Sequence, residues 1–250
     1  MKKFNIILPE NWAELTDTQL LMVYRLFASD LSAAEVKTLC MMKWGGLKVL
    51  ALLPMKRFLI KRGKEVVLLR LRQIQQATSV LDFLDSFAPM PIRIARIGKH
   101  RALPADFEKV PFEQYLFVDN LFQGYLNTQQ DELLLQMAQI LYGSDHVKPS
   151  KAHLVGIFYW MASLKQYFAT LFSNFYKPAP AKGEGNLLGS SQPDIYSQLR
   201  DSTNAMIRAL TGGDITKEER ILKMDTWRAL TELDAKAKEA EELRKAYKKH

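Results

Sequence analysis

One stretch leaves this chain few ways to fold. From Lys151 to Tyr176, Leu154, Ile157, Phe158, Met161, Leu164 and Phe168 recur at helical spacing, and Leu171, Phe172 and Phe175 continue the series. Val155, Tyr159, Trp160 and Tyr167 carry apolar surface onto the opposite side. A helix that is apolar nearly all round is either buried at the centre of a core or spans a membrane. Between His153 and Lys177 the single charge is Lys165, near the middle. A lysine there costs about 2.5–3.5 kcal/mol on membrane insertion. Ser163, Gln166 and Asn174 add to that cost. A buried core helix, capped at its start by Ser150, is the prediction.

The rest of the chain supplies elements to pack around it. Asn5–Leu8 predicts a short strand ended by Pro9. Thr16 with Gln19, and Ser32 with Glu35, have the spacing of helix N-terminal capping boxes. They predict a helical hairpin: one helix to about Ala28, and a second stopping at Gly45-Gly46. Leu47–Leu53 is an apolar run ended by Pro54. Arg57–Lys61 and Glu65–Leu69 then read as a β-hairpin turning at Gly63. Leu71–Phe87 has helical spacing, and Ile92, Ile94 and Ile97 alternate with basic residues in a second small hairpin bent at Gly98. Further helices are expected from Pro111 to about Leu126, from Gln129 to Tyr142, from Asp194 to Leu210, and from Asp225 to about Tyr247, with a third capping box at Thr216 and Glu219. The fold class is mainly α (α+β): a helical bundle with two small β-hairpins and a C-terminal helical pair. Residues 1–177 form the helical core domain, with a basic hairpin–helix–hairpin insert at 56–101. Residues 178–193, rich in Pro, Gly and Ser, read as a linker, and 194–250 as a C-terminal helical segment.

Charge is concentrated. The chain carries 35 basic and 27 acidic residues, a net +8. The segment 56–101 holds eleven basic residues against Glu65, Asp82 and Asp85, so it alone accounts for the excess. Such a segment suits an acidic partner. Arg57, Lys61, Arg62, Lys64, Arg93, Arg96, Lys99 and Arg101 are the candidate contacts to an anion or nucleic acid, and Phe58 is positioned to stack on a base. A solvated cationic face, or a patch for an acidic protein, explains the same residues. A membrane is not expected as a partner.

No pattern points to chemistry. His100, His146, His153 and His250 stand outside any metal-ligand spacing. The glycines from Gly183 to Gly189 follow a Pro-rich stretch, not the strand that a phosphate-binding loop needs. Asp82 with Asp85 reads as a solvated acidic pair. No catalytic residue, cofactor or metal ligand is assigned, and the chain is not expected to be an enzyme or to take a small-molecule substrate. The single cysteine, Cys40, sits among apolar neighbours and reads as a core thiol. It also suits a reducing compartment. With no signal peptide expected at the N-terminus, the cytoplasm is the predicted location.

The last helix carries a narrow apolar stripe: Trp227, Leu230, Leu233, Ala237, Leu243 and Tyr247, with Ala240 between. Acid-before-base pairs at Glu232/Lys236, Asp234/Lys238 and Glu241/Lys245 support the helix. The stripe resembles a seam that docks on one partner helix, so a protein partner or self-association is expected. Two segments, Asn11–Leu20 and Thr216–Leu230 with its Met224-Asp225-Thr226-Trp227 turn, resemble small assembly proteins of tailed phages and prophages, tail-assembly chaperones among them. That resemblance covers about a quarter of the chain. It implies a non-enzymatic protein that binds another phage protein, such as a tape-measure chain, during assembly. The alternative is a nucleic-acid-binding protein using 56–101.

Overall fold

A computed structural model of the chain describes residues 6–177 and 195–247. Helices dominate it, joined by one three-stranded and one two-stranded antiparallel sheet. The fold is therefore mainly α with a small β component, as expected. The chain divides into two compact units. The first comprises Met1–Ala88, Ile92–Ile94 and Ser150–Tyr159; the second comprises Pro89–Pro91, Ala95–Pro149 and Trp160–His250. The predicted linker, 178–193, and the glycines at 183–189 lie outside the described residues.

In the first unit, α1 (Asp17–Phe27) and α2 (Ala33–Trp44) each start with the predicted capping box. The Thr16 amide donates to Gln19 Oε1 at 2.9 Å, and the Ser32 amide to Glu35 Oε2 at 2.8 Å. Trp12 is anchored by its indole N–H, which donates to the carbonyls of Phe83 (2.9 Å) and Ser86 (3.1 Å). Around it pack Val23, Tyr24, Cys40, Met41 and Leu81, all buried. Burial pushes the Cys40 thiol up to about 12, which keeps it an inert core group.

Three elements differ from expectation. Residues 6–8 form no strand. Leu47–Leu53 supplies a strand that the sequence left unassigned, because a short apolar run does not distinguish strand from buried helix. The result is a meander, β1 (Lys48–Leu53), β2 (Arg57–Arg62) and β3 (Glu65–Arg70), in that spatial order, with a bulge between Val49 and Ala51. The helix predicted over Leu71–Phe87 breaks into α3 (Leu71–Thr78) and a 3₁₀ segment, Ser79–Asp85. The hydroxyls of Thr78 and Ser79 donate to the carbonyls of Gln75 and Gln76, each at 2.9 Å, and compete with the α-helical ladder.

In the second unit, β4 (Arg96–Ile97) and β5 (His100–Arg101) form a minimal hairpin around Gly98, much shorter than predicted. α4 (Phe112–Thr128) and α5 (Asp131–Leu141) follow. α6 (Lys151–Leu171) contributes its first nine residues to the first unit and the rest to the second. Trp160, Met161, Leu164 and Phe168 are buried in the second. It ends before the predicted Tyr176 because Asp234 takes the amides of Asn174 (2.8 Å) and Phe175 (2.9 Å). α7 (Ile195–Thr211), α8 (Glu218–Leu222) and α9 (Thr226–Tyr247) complete the unit. The third capping box does not form. Asp214, not Thr216, accepts the free amide, from Thr216 N at 3.0 Å.

Gly156 marks the closest approach inside the first unit. A Cβ there would lie 2.8 Å from Cδ2 of the buried Tyr24 ring. Alanine ordinarily favours a helix interior over glycine by about 1 kcal/mol. Here overpacking reverses the sign. Gly156→Ala is expected to lose about 1–3 kcal/mol, read by chemical denaturation. A variant more stable than the parent would show that the contact relaxes freely.

Candidate functional site

The polar constellation of the second unit grows from two apolar helices. α4 buries Tyr115, Leu116, Val118 and Phe122, with Asp119 one turn beyond Tyr115. α6 brings Lys165 to it. Lys165 Nζ lies 2.8 Å from Asp119 Oδ1 and 3.4 Å from the Tyr115 hydroxyl. The Tyr115 and Tyr176 hydroxyls are 2.6 Å apart, and Lys165 Nζ sits 4.9 Å from the Tyr176 ring centroid. Asp119 Oδ1 is buried without an aligned donor, so the lysine contact is an ion pair more than a directed hydrogen bond. The group opens into a cleft of about 400 Å³ that Asn120, Gln123, Asn127 and Ser202 also line.

Electrostatics decide what this group can do. Burial disfavours the Lys165 ammonium more than any one neighbour favours it, but Asp119 and Tyr176 together outweigh that, and Lys165 titrates above the ordinary lysine range. Burial, then the Asp119 charge, push Tyr115 well above the usual phenol range. Tyr176 is also raised, by burial, with Lys165 opposing. At neutral pH the amine and both phenols stay protonated, so none of the three serves as a base. The arrangement holds α4, α6 and the turn after α6 together and presents hydrogen-bonding groups to the cleft. The sequence marked Lys165 as costly but not its partner. The signal was there: a lone acid within the apolar positions of one helix and a lone base within those of another.

In the first unit the acids read as a solvated pair, Asp82 and Asp85, both engage Lys37, the former at 2.6 Å. Both acids stay exposed, as expected, and what the spacing did not show is the lysine they share. The two acids lie on the 3₁₀ turn that follows α3, and Lys37 reaches both from α2. His153 likewise has a local role: its Nδ1 accepts from the Ser150 amide at 3.1 Å. Among the described residues no cluster of three or more His, Cys, Asp or Glu could hold a metal ion. No helix among them is long and apolar enough to cross a membrane.

The candidate basic contacts do not fall in one unit. Arg57, Lys61, Arg62, Lys64 and Arg93 belong to the first; Arg96, Lys99 and Arg101 belong to the second. Within the meander, Arg57 and Lys61 flank Leu59 on one face of β2. Ile60 on the other face is buried, and Phe58 beside it packs against the core. Phe58 is therefore not presented for base stacking, which corrects that expectation.

The stripe on α9 also divides. Trp227 packs edge-on against Tyr167, Phe168 and Phe172, and its indole N–H donates to the Asp106 carbonyl at 2.8 Å. Leu230 and Leu233 are buried, and Ala237 is half-buried. Half of the expected docking seam is thus core of its own unit, and the correction follows from the anchoring of the helix start. Leu243 (60% exposed) and Tyr247 (80%) remain open, as does Ala240. Of the three predicted acid–base pairs, Glu241–Lys245 forms at 2.9 Å and Glu232–Lys236 only at 4.0 Å. Asp234 turns instead to Asn174.

Removing one partner of the buried pair tests this account. Lys165→Met leaves Asp119 buried and unpaired and is expected to cost about 3–5 kcal/mol in denaturant unfolding. Lys165→Met with Asp119→Leu should recover most of the loss, and strictly additive losses would refute the coupling. The pH sign follows from the shifts. Lys165, Tyr115 and Tyr176 all titrate higher folded than free, so the folded state holds more protons. Their stabilisation is complete below pH about 10 and is lost as pH rises through the folded values. Lys165→Met with Asp119→Leu removes one of the three groups and the Asp119 charge that raises Tyr115, so its stability should fall less steeply above pH about 10 than the parent's, and an unchanged slope would refute the assignment.

No protein-family model matches the chain, and neither a curated protein nor a solved structure is significantly similar to it.

Proposed function

We propose that the chain is a non-enzymatic protein-binding protein that works in assembly, in the cytoplasm, in the manner of the tail-assembly chaperones of phages and prophages. One observation carries this reading. α9 continues past its buried contacts at Leu230 and Leu233 and leaves Leu243 and Tyr247 exposed, four residues apart on one side. Glu241, two residues before Leu243, bonds Lys177 (2.8 Å) and Lys245 (2.9 Å). Its carboxyl is held down to about 2, first by Lys177 and then by Lys245. This end of the helix is ordered by its ion pairs while its apolar side chains lack cover. An apolar helix side of this kind suits insertion into the groove or helix face of another protein. The resemblance of Thr216–Leu230 to phage assembly proteins adds the class of partner, a tape-measure chain. The nucleic-acid reading draws less support, because Phe58 is engaged in the core.

Deleting the whole C-terminal segment would not test this cleanly, since Thr226, Leu230 and Leu233 are buried in their unit. Leu243→Asp with Tyr247→Asp changes only exposed side chains. The double variant is expected to keep the parent melting temperature and to lose co-purification with a co-expressed tape-measure chain, or self-association in light scattering. Retention of both, in a variant that folds normally, would refute the proposal.

A further inference from the structure

The β1–β2–β3 meander of the first unit holds two features that its own folding does not call for. The first is electrostatic. The register places Lys48 opposite Lys61 and Arg57 opposite Arg70, so like charges meet directly across the strands on one face. Such pairs destabilise a sheet. None of these four side chains makes an ion pair among the described residues. Over residues 48–72 there are eight basic side chains against one acid, Glu65. Between the two cationic rows run Ala51, Leu59 and Leu68, an apolar band.

The second feature is apolar exposure in several directions. Edge strand β1 leaves Val49 and Leu52 open on the face that, further into the sheet, carries the buried Ile60. Leu52 is 68% exposed. At the hairpin tip, Met55 and Lys56 both take left-handed backbone conformations, with φ of 62° and 52°. Glycine or asparagine would adopt these at lower cost. The tip nevertheless presents a methionine that is 88% exposed, with Lys56 and Arg57 at its shoulder.

The occupant follows from those two features together. A second copy of this chain would bring cations onto cations. A folded protein partner covers one face of a hairpin, whereas here Val49 and Leu52 are open on one face of β1, the cationic rows lie on the other, and the tip between them is apolar. Nucleic acid rewards exposed aromatic rings for stacking, and the open side chains here are aliphatic. A fluid anionic interface surrounds an inserted tip on all sides and supplies phosphates to the cationic rows.

We propose that the meander is a peripheral docking site for an anionic phospholipid surface. Leu52 and Met55 enter the headgroup layer, and Lys48, Arg57, Lys61 and Arg70 meet lipid phosphates. The sequence weighs a membrane mainly as a medium to be spanned by α6; the meander would lie on its surface instead. The proposal does not depend on the assembly role, because its residues are in a different unit from Leu243 and Tyr247.

Co-sedimentation of the full chain with vesicles tests it. The chain is expected to bind vesicles of phosphatidylcholine mixed with phosphatidylserine, to ignore phosphatidylcholine alone, and to dissociate as salt rises. Lys61→Glu with Arg70→Glu should weaken binding about tenfold or more. Leu52→Glu with Met55→Glu should do the same, and unchanged circular dichroism would show that these variants fold. Three results would overturn the proposal: no binding to anionic vesicles at low salt, full binding by the Leu52/Met55 variant, or retention on an RNA homopolymer with none on vesicles.

Discussion

A single backbone carbonyl organises the second unit. Val110 O accepts both the amide (2.9 Å) and the hydroxyl (2.7 Å) of Thr226, 116 residues later in the chain. Around this point the contacts multiply. The Asp225 carboxylate accepts from the Lys109 amide at 2.7 Å and from the Arg228 amide at 3.1 Å, so it pins the loop and caps α9 at once. The Phe112 amide donates to Met224 O at 2.8 Å. Two indoles, Trp160 and Trp227, donate to the carbonyls of Ala105 (2.6 Å) and Asp106 (2.8 Å). Phe107 and Lys109 take left-handed conformations, and the buried Phe107 ring helps to hold that geometry. Because the start of α9 is fixed here, Leu230 and Leu233 must face inward. The same constraint decides which part of the helix stays exposed.

The turn Met224-Asp225-Thr226-Trp227 was thus legible in the sequence as a distinctive motif, but its work is internal. Each of its last three side chains bonds the loop between β5 and α4, and no local pattern announces a partner more than a hundred residues away. What could be read were features that close within one turn: the boxes at Thr16 and Ser32, the helix start at Pro111, and the stop near Gly45. What could not were choices made by tertiary contact. Gln129 ends α4 with φ of 57°, where glycine would have been the readable signal. Leu47–Leu53 became a strand only because β2 lies beside it.

The same division holds for the candidate sites. Lys165 stood out because a charge in an apolar helix demands an explanation. Its answer, Asp119, is 46 positions earlier on another helix, at a spacing that no periodicity encodes. The basic residues of 56–101 were countable, but composition does not say that they divide between two units, nor that β-pairing sets cations opposite cations. Burial of Leu230 was similarly invisible, since a core stripe and a docking stripe share one spacing.

Charge consequently plays two roles. On α9 and its neighbours it is neutralised locally: Glu241 has Lys177 and Lys245, and Asp234 has the Asn174 side chain and two amides. Such pairs trade with solvent at little net gain, but they fix geometry. On the meander the cations oppose one another, and each such pair costs up to about 1 kcal/mol. The sheet tolerates this because its other face is anchored by Phe58, Ile60 and Leu69 against the core. The inner face supplies the anchor to the core. The outer face adds cation–cation repulsion beside the apolar band of Ala51, Leu59 and Leu68, and approaching anions relieve that repulsion, which is the energetic ground for the proposed phosphate-bearing occupant.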